Sequence, residues 1–156
     1  MAFVIDTSSL SRAWYESYPI DVLPPFWTKL SDAMADGSVI STMEVYRELE
    51  KKDGAELFNW MKQHKHAFQE LDHECQAAVR QILTDFPRLV MTLKGRTQAD
   101  PFVIALAMGG FHTVVTEEKA QGTNNRPHIP NVCAAMDVEC INLLRMIRQL
   151  GWVFTA

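Results

Sequence analysis

Phe3-Val4-Ile5-Asp6-Thr7-Ser8-Ser9 decides the fold: an apolar, partly β-branched run stops at a carboxylate and passes at once into hydroxyl residues. Such a run suits a strand buried on both faces, as in the middle of a parallel sheet. A carboxylate at the C-terminal end of that strand stands on the rim where open α/β sheets bind ligands. Asp6 can equally cap the helix that Ser8 and Ser9 begin, because a short oxygen-bearing side chain accepts from the first free amides of a helix. The other acids of the chain must decide between the two roles.

Outward from this stretch, Ser9 to Tyr18 has helical spacing and stops at Pro19, and Pro24-Pro25 opens a helix that Asp36-Gly37 closes. Val39-Ile40 reads as a second strand. Ser41-Thr42-Met43-Glu44 has the capping-box pattern and starts a helix containing Glu48 and Leu49. Asp53 is expected to cap the following helix, and Asp72 one from His73 to Phe86 that Pro87 ends. Thr97-Gln98-Ala99-Asp100 repeats the capping box before a buried helix over 102–108, which Gly109-Gly110 should end. Thr113 to Thr116 is a third strand, followed at once by Glu117-Glu118. A polar loop over 121–130 precedes a last strand, Val138 to Ile141, and Asn142 caps a helix through Leu150. Strands alternating with helices, without a two-residue hairpin signal, predict parallel strands with right-handed crossovers. The expected architecture is α/β, a three-layer α/β/α sandwich with a central parallel sheet, forming one domain over 1–156.

At 156 residues and 47% hydrophobic content the chain is long enough for one core and short for two. Its formal net charge of -4 argues against holding nucleic acid by net electrostatics, while leaving room for local basic contacts. Cys75, Cys133 and Cys140 show no CxxC spacing and leave an odd thiol, so neither a disulfide framework nor a cysteine zinc site is expected. His64 and His66, two apart, point to different faces of a helix and give zinc no support. No apolar run approaches membrane-spanning length, and the N-terminus lacks a basic region before an apolar stretch. The expectation is a soluble cytoplasmic protein.

Two acids follow predicted strands, Asp6 and Glu118 with its neighbour Glu117, and two lie early in predicted helices, Glu44 or Glu48 and Asp100. All can reach one sheet edge. Carboxylates that converge repel one another, and their charged forms are disfavoured unless a cation sits among them. Magnesium suits such a place, since it takes a few carboxylate oxygens, keeps several waters and works beside phosphates. The chemistry suggested is phosphodiester hydrolysis.

Four stretches carry a resemblance: Phe3-Val4-Ile5-Asp6-Thr7-Ser8-Ser9-Leu10, Val45-Tyr46-Arg47-Glu48-Leu49, Ala99-Asp100-Pro101-Phe102-Val103-Ile104-Ala105-Leu106-Ala107 and Val114-Val115-Thr116-Glu117-Glu118. Together, and in this order, they resemble the four acidic motifs of the PIN-domain superfamily of nucleases. The resemblance implies a parallel sheet with flanking helices and a site of Asp6, Glu48, Asp100 and Glu118 that binds Mg2+ or Mn2+ and cuts RNA. It also implies a toxin of the VapC type, paired with an antitoxin protein. The chain departs from the commoner pattern at Ser8, where many relatives carry asparagine, and at Glu118, where aspartate is usual. Because glutamate is one methylene longer, the alternative is a non-catalytic PIN-like module that binds nucleic acid or protein.

Each residue also has a plainer role. Asp100 can reach back to the Thr97 amide as a cap, and Glu44 holds the capping-box position, leaving Glu48 one turn on as the family's acid. Thr7, Ser8 and Thr116 are turn or helix hydroxyls that, beside acids, can orient a ligating carboxylate. Glu117 faces solvent or supports the site, while Lys94, Arg96 and Lys119 are either phosphate contacts or ordinary solvated charge. Phe26, Trp27, Phe58, Trp60 and Met61 look too apolar for two surface helices, so some are expected at the surface, in a homodimer or under a partner.

Overall fold

In the computed structural model the described residues are 1–52, 55–89, 99–120 and 127–155. The expected Asp53 cap, Lys94, Arg96, the Thr97 half of the second capping box and positions 121–126 of the polar loop lie outside them. Five strands form one sheet: β1 (Phe3–Ile5), β2 (Val39–Thr42), β3 (Phe68–Gln69), β4 (Thr113–Val115) and β5 (Cys140–Ile141). Their order is β3-β2-β1-β4-β5, and every neighbouring pair is parallel. β1 lies in the middle, Phe3 facing both Val39 and Thr113 in register, which explains why its residues are apolar without alternation. The chain builds outward from β1 to β3 and then returns to its other side for β4 and β5. The gap between the C-terminal ends of β1 and β4 is therefore the topological switch point.

Helices flank the sheet: α1 (Thr7–Arg12), continued by a π-helical turn (Ala13–Ser17), α2 (Pro24–Asp36), α3 (Met43–Lys52), α4 (Ala55–Lys62), α5 (His73–Asp85), α6 (Asp100–Gly110), α7 (Ile129–Ala135) and α8 (Leu143–Gln149). Their ends follow local chemistry. α2 begins on its proline pair and ends at Gly37, whose φ of 83° only glycine adopts without strain. Asp72 accepts from the Cys75 amide at 2.8 Å and Asn142 from that of Arg145 at 2.9 Å, each capping as its position predicts. α6 packs against β1, β2 and β4 on one side and against α5 on the other, so it is buried nearly all round.

Several details differ from the sequence reading; α7 is not anticipated by it, and the last strand begins at Cys140 rather than Val138. β3 has only Phe68 as an apolar residue, so it shows no period to read. β2 runs on to Thr42, which places the helix cap one residue later: Thr42 Oγ1 accepts from the Val45 amide at 3.3 Å, while Ser41 Oγ donates to the Ile5 carbonyl at 2.6 Å. α6 continues through both glycines, and Phe111, with φ 54°, takes the left-handed position at its end. The glycines serve close approach: a Cβ on Gly109 would meet Cys75 Sγ of α5 at 2.7 Å, and one on Gly110 would meet the His112 ring.

None of the five apolar residues expected in part at the surface is fully exposed. Phe26, Trp27 and Met61 are buried, and Phe58 and Trp60 pack half-buried against the core. Trp27 meets Trp14 edge-on at 4.8 Å and Trp60 at 4.9 Å, and its Nε1 donates to the Tyr18 carbonyl at 2.6 Å. Tyr18 stacks on Phe26, which meets Trp152 at 6.0 Å, so one ring cluster joins the π-helical turn, α2, α4 and the C-terminal segment. Phe58 and Trp60 keep part of their surface, so the apolar face that motivated the homodimer expectation is smaller than the sequence suggested. Trp27→Ala should lower stability by about 3–5 kcal/mol in urea unfolding. A loss under about 1 kcal/mol would mean that the cluster does not hold these elements together.

Candidate active site

Asp6 ends β1 and begins α1, and it does both jobs that its position allows. Its Oδ1 accepts from the Ser9 amide at 3.0 Å, which is the helix cap. Ser8 Oγ lies 2.9 Å from both carboxylate oxygens, and Thr116 Oγ1 donates to Oδ2 at 2.8 Å across the switch point. The network then passes to the backbone after β4, where the Glu117 amide donates to Ser8 Oγ and the Glu118 amide to Thr116 Oγ1, each at 3.1 Å. Two hydroxyls thus tie the end of β1 to the turn after β4.

Burial drives the electrostatics. Loss of solvent pushes the Asp6 carboxyl up to about 6 against the pull of its hydrogen bonds from Ser9, Thr116 and Ser8, and the charge of Glu118 raises it further. The thiol of Cys133 is pushed up by its contact with Cys140, then by burial, and also feels Asp6 and Glu118. It stays a neutral apolar neighbour of the acids.

The two glutamates after β4 are both engaged. Glu117 Oε1 accepts from the Leu143 amide at 2.9 Å and Glu118 Oε2 from the Ile129 amide at 3.0 Å, so each holds the first residue of a helix, α8 and α7. Neither helix has an acid in its own first turn, the one sequence sign that a distant carboxylate serves there. Asp100 is buried as the first residue of α6, which packs on β1. Glu48 lies on α3, which packs against α1, and both its oxygens are withdrawn from solvent. Glu44 Oε1 is 3.8 Å from Arg47, whereas its Oε2 is buried without a hydrogen bond among the described residues. Lys119 is exposed.

The structure therefore brings Asp6 and Glu118 into electrostatic reach and sets Glu48 and Asp100 on elements packed around them. Among the described residues no three His, Cys, Asp or Glu side chains stand close enough to form a metal cage. The donors nonetheless fit magnesium or manganese, which need one or two carboxylates and complete their shell with water and substrate oxygens. Thr7 Oγ1, on the residue after Asp6, is buried without a hydrogen bond among the described residues. Outside Asp6 opens a groove of about 410 Å³ whose lining includes Ser8, Ser11, Arg12, Tyr15, Glu117 and Glu118. Sequence reading assigns neither Arg12 nor Tyr15 to the site and takes Tyr15 with its aromatic neighbours as core, whereas Tyr15 is 52% exposed.

A helix-flanked parallel sheet in the order β3-β2-β1-β4-β5, with acids at the switch point, defines a PIN-like α/β protein. Residues 3–154 match the family described as Domain of unknown function (DUF4411), and the chain belongs to that family. Among solved structures it is similar to a chain from the crystal structure of VapBC2 from Rickettsia felis bound to a DNA fragment from their promoter. The TM-score is 0.53 over 91% of this chain and 98% of that one, at 11% identity, a likeness of fold. No curated protein matches the chain.

The raised Asp6 carboxyl makes a stability prediction. The folded protein binds this proton more tightly than the unfolded chain, so Asp6 contributes stability below the unfolded value of 3.8 that is lost as pH rises to about 6. A shift of this size corresponds to roughly 3 kcal/mol. Asp6→Asn, which keeps the shape and loses the charge, should exceed the wild type by about 1–3 kcal/mol at pH 7, with the advantage vanishing towards pH 4. Urea unfolding of both proteins across that range checks this, and an advantage that grows as pH falls would contradict it.

Proposed function

We propose that this protein is a metal-dependent ribonuclease hydrolysing RNA phosphodiester bonds, the toxin of a toxin–antitoxin pair. The observation that carries the reading is Asp6: a buried carboxylate at the switch point that accepts from three protein donors and lies beside an open groove lined by Ser8, Glu117 and Glu118. Asp6 anchors the cation, with Glu118, Glu48 and Asp100 as the further carboxylates. Bound there, Mg2+ or Mn2+ supplies the positive charge that lowers the pKa of an attacking water and offsets charge on the phosphate. Ser8 and Thr116 fix the orientation of the Asp6 carboxylate, and Thr7 adds a hydroxyl beside it. Lys94 and Arg96 are the basic residues assigned to the RNA backbone. The toxin assignment and its antitoxin partner are supported by the motif order and by the likeness of fold to a VapBC2 chain. No helix among the described residues is long and apolar enough to cross a membrane, which accords with a protein acting on RNA in the cytoplasm.

A second reading has its own support: Glu118 Oε2 is occupied by the amide of Ile129, which favours a PIN-like module that binds nucleic acid or protein without cutting. Purified protein incubated with a mixed RNA pool and Mg2+ or Mn2+ separates the two. Cutting should fall at least about a hundredfold in Asp6→Asn, the size expected when a charge-stabilising group is removed. Equal cutting by both proteins would refute the site, and no cutting in any metal would favour the binding module. Calorimetry adds a readout independent of turnover: Mn2+ should bind the wild type, and Asp100→Asn should weaken it about tenfold or more.

A further inference from the structure

At the end of the sheet opposite to Asp6, where β1, β4 and β5 begin, lies a second groove of about 410 Å³. It opens between the turn that follows α6 and the turn that follows α7, and its apolar lining includes Met1, Met108, Phe111, Met136 and Val138. Phe111 is 89% exposed and Met1 80%, the two most exposed of the large apolar side chains described. Methionine is unbranched and adaptable, which suits a surface that moulds itself to another.

The backbone gives this exposure its weight. Phe111, with φ 54°, and Asp137, with φ 57°, are the non-glycine residues of left-handed backbone among the described residues, and both line this groove. A bulky ring in that conformation is an outlier, whereas glycine adopts it freely. Gly109 and Gly110 stand immediately before, yet α6 runs through them and leaves the strained position to Phe111. Strain and a hydrated ring thus fall on one residue outside the core, the kind of cost that marks a functional surface.

The charges decide what fits there. Asp137 and Glu139 are exposed on the rim, and neither forms an ion pair among the described residues. α6 and α7 both end at the groove, and neither has a basic residue in its last turn to offset the negative end of its dipole. No lysine or arginine is among the described lining residues. His112 adds no charge, since burial lowers its pKa and its Nδ1 accepts from the Ala2 amide at 2.9 Å. Against these stands the amino group of Met1, which leaves the lining negative. A second copy packed face to face would set the same acids against each other, and an anionic lipid surface is repelled likewise.

We propose that this groove docks a basic amphipathic segment of a partner protein. Its apolar side chains pack on Phe111, Met108 and Met136, while its lysines or arginines meet Asp137, Glu139 and the ends of α6 and α7. An amphipathic helix laid in an apolar groove makes both contacts at once. The docking site is independent of the hydrolytic reading: it shares no lining residue with the groove outside Asp6 and leaves that groove open.

The test is anisotropy of a fluorescein-labelled helical peptide of about 18 residues, leucine on one face and lysine on the other, titrated with the full chain. The basic peptide should bind, and a twin with glutamate in place of lysine should bind at least about tenfold more weakly. Phe111→Gly should weaken the basic peptide about fivefold or more. The same variant should raise the urea midpoint of the free protein, because glycine relieves the left-handed backbone. Asp137→Asn combined with Glu139→Gln should weaken the basic peptide and flatten its salt dependence. No binding of the basic peptide, equal binding of the two peptides, or binding unchanged in Phe111→Gly or in the acid variant each overturns the proposal. A lowered midpoint in Phe111→Gly also overturns it, since the ring would then serve the fold. So does a dimer in sedimentation that Phe111→Gly abolishes, which would give the face to a second copy.

Discussion

A carboxylate buried at the end of the central strand is the constraint around which this molecule is built. Asp6 is 3% exposed, and loss of water alone would favour its neutral form. The chain answers with donors from three places: the first turn of α1, the hydroxyl of Ser8 and the hydroxyl of Thr116 beyond β4. Those donors exist only when β1 and β4 are paired and α1 has started. The acid therefore couples sheet order to helix initiation, and fold and site are one arrangement.

The same economy governs the turn after β4. Its amides serve the hydroxyls that hold Asp6, and its side chains serve the first amides of α7 and α8. One short segment thus fixes the switch point and the two helices that follow it. A cation arriving near Asp6 would compete with the Ile129 amide for Glu118. In this chain Glu118, the acid proposed as the fourth ligand, already holds the Ile129 amide.

Much of this was legible in the sequence because the decisive signals are local. Strand β1, the caps at Asp72 and Asn142, the proline start of α2 and the parallel architecture all follow from short patterns whose physical causes act within one or two turns. What stayed hidden depends on contacts distant in sequence. β3 is recognisable only by its pairing to β2. The glycine pair of α6 answers to Cys75 and His112 rather than to helix termination. The ring cluster looked like surface because each helix was read alone, and Trp27 finds its partners on the π-helical turn and α4. At the candidate site, Asp6 and Glu118 stood out by their positions after strands and Glu48 and Asp100 by theirs early in helices, but Glu117 and Glu118 as props for α8 and α7, and Arg12 with Tyr15 in the lining of one groove, required the fold.

The account turns on whether Asp6 is a strained carboxylate awaiting a cation. Its ionisation can be followed directly by the carbon-13 shift of its side-chain carboxyl as pH is varied, with and without Mg2+. The account predicts a midpoint near 6 in the free protein and a fall of about a unit or more once the ion is added, as a nearby opposite charge requires. A midpoint near the ordinary aspartate value of about 3.9, unmoved by Mg2+, would contradict it.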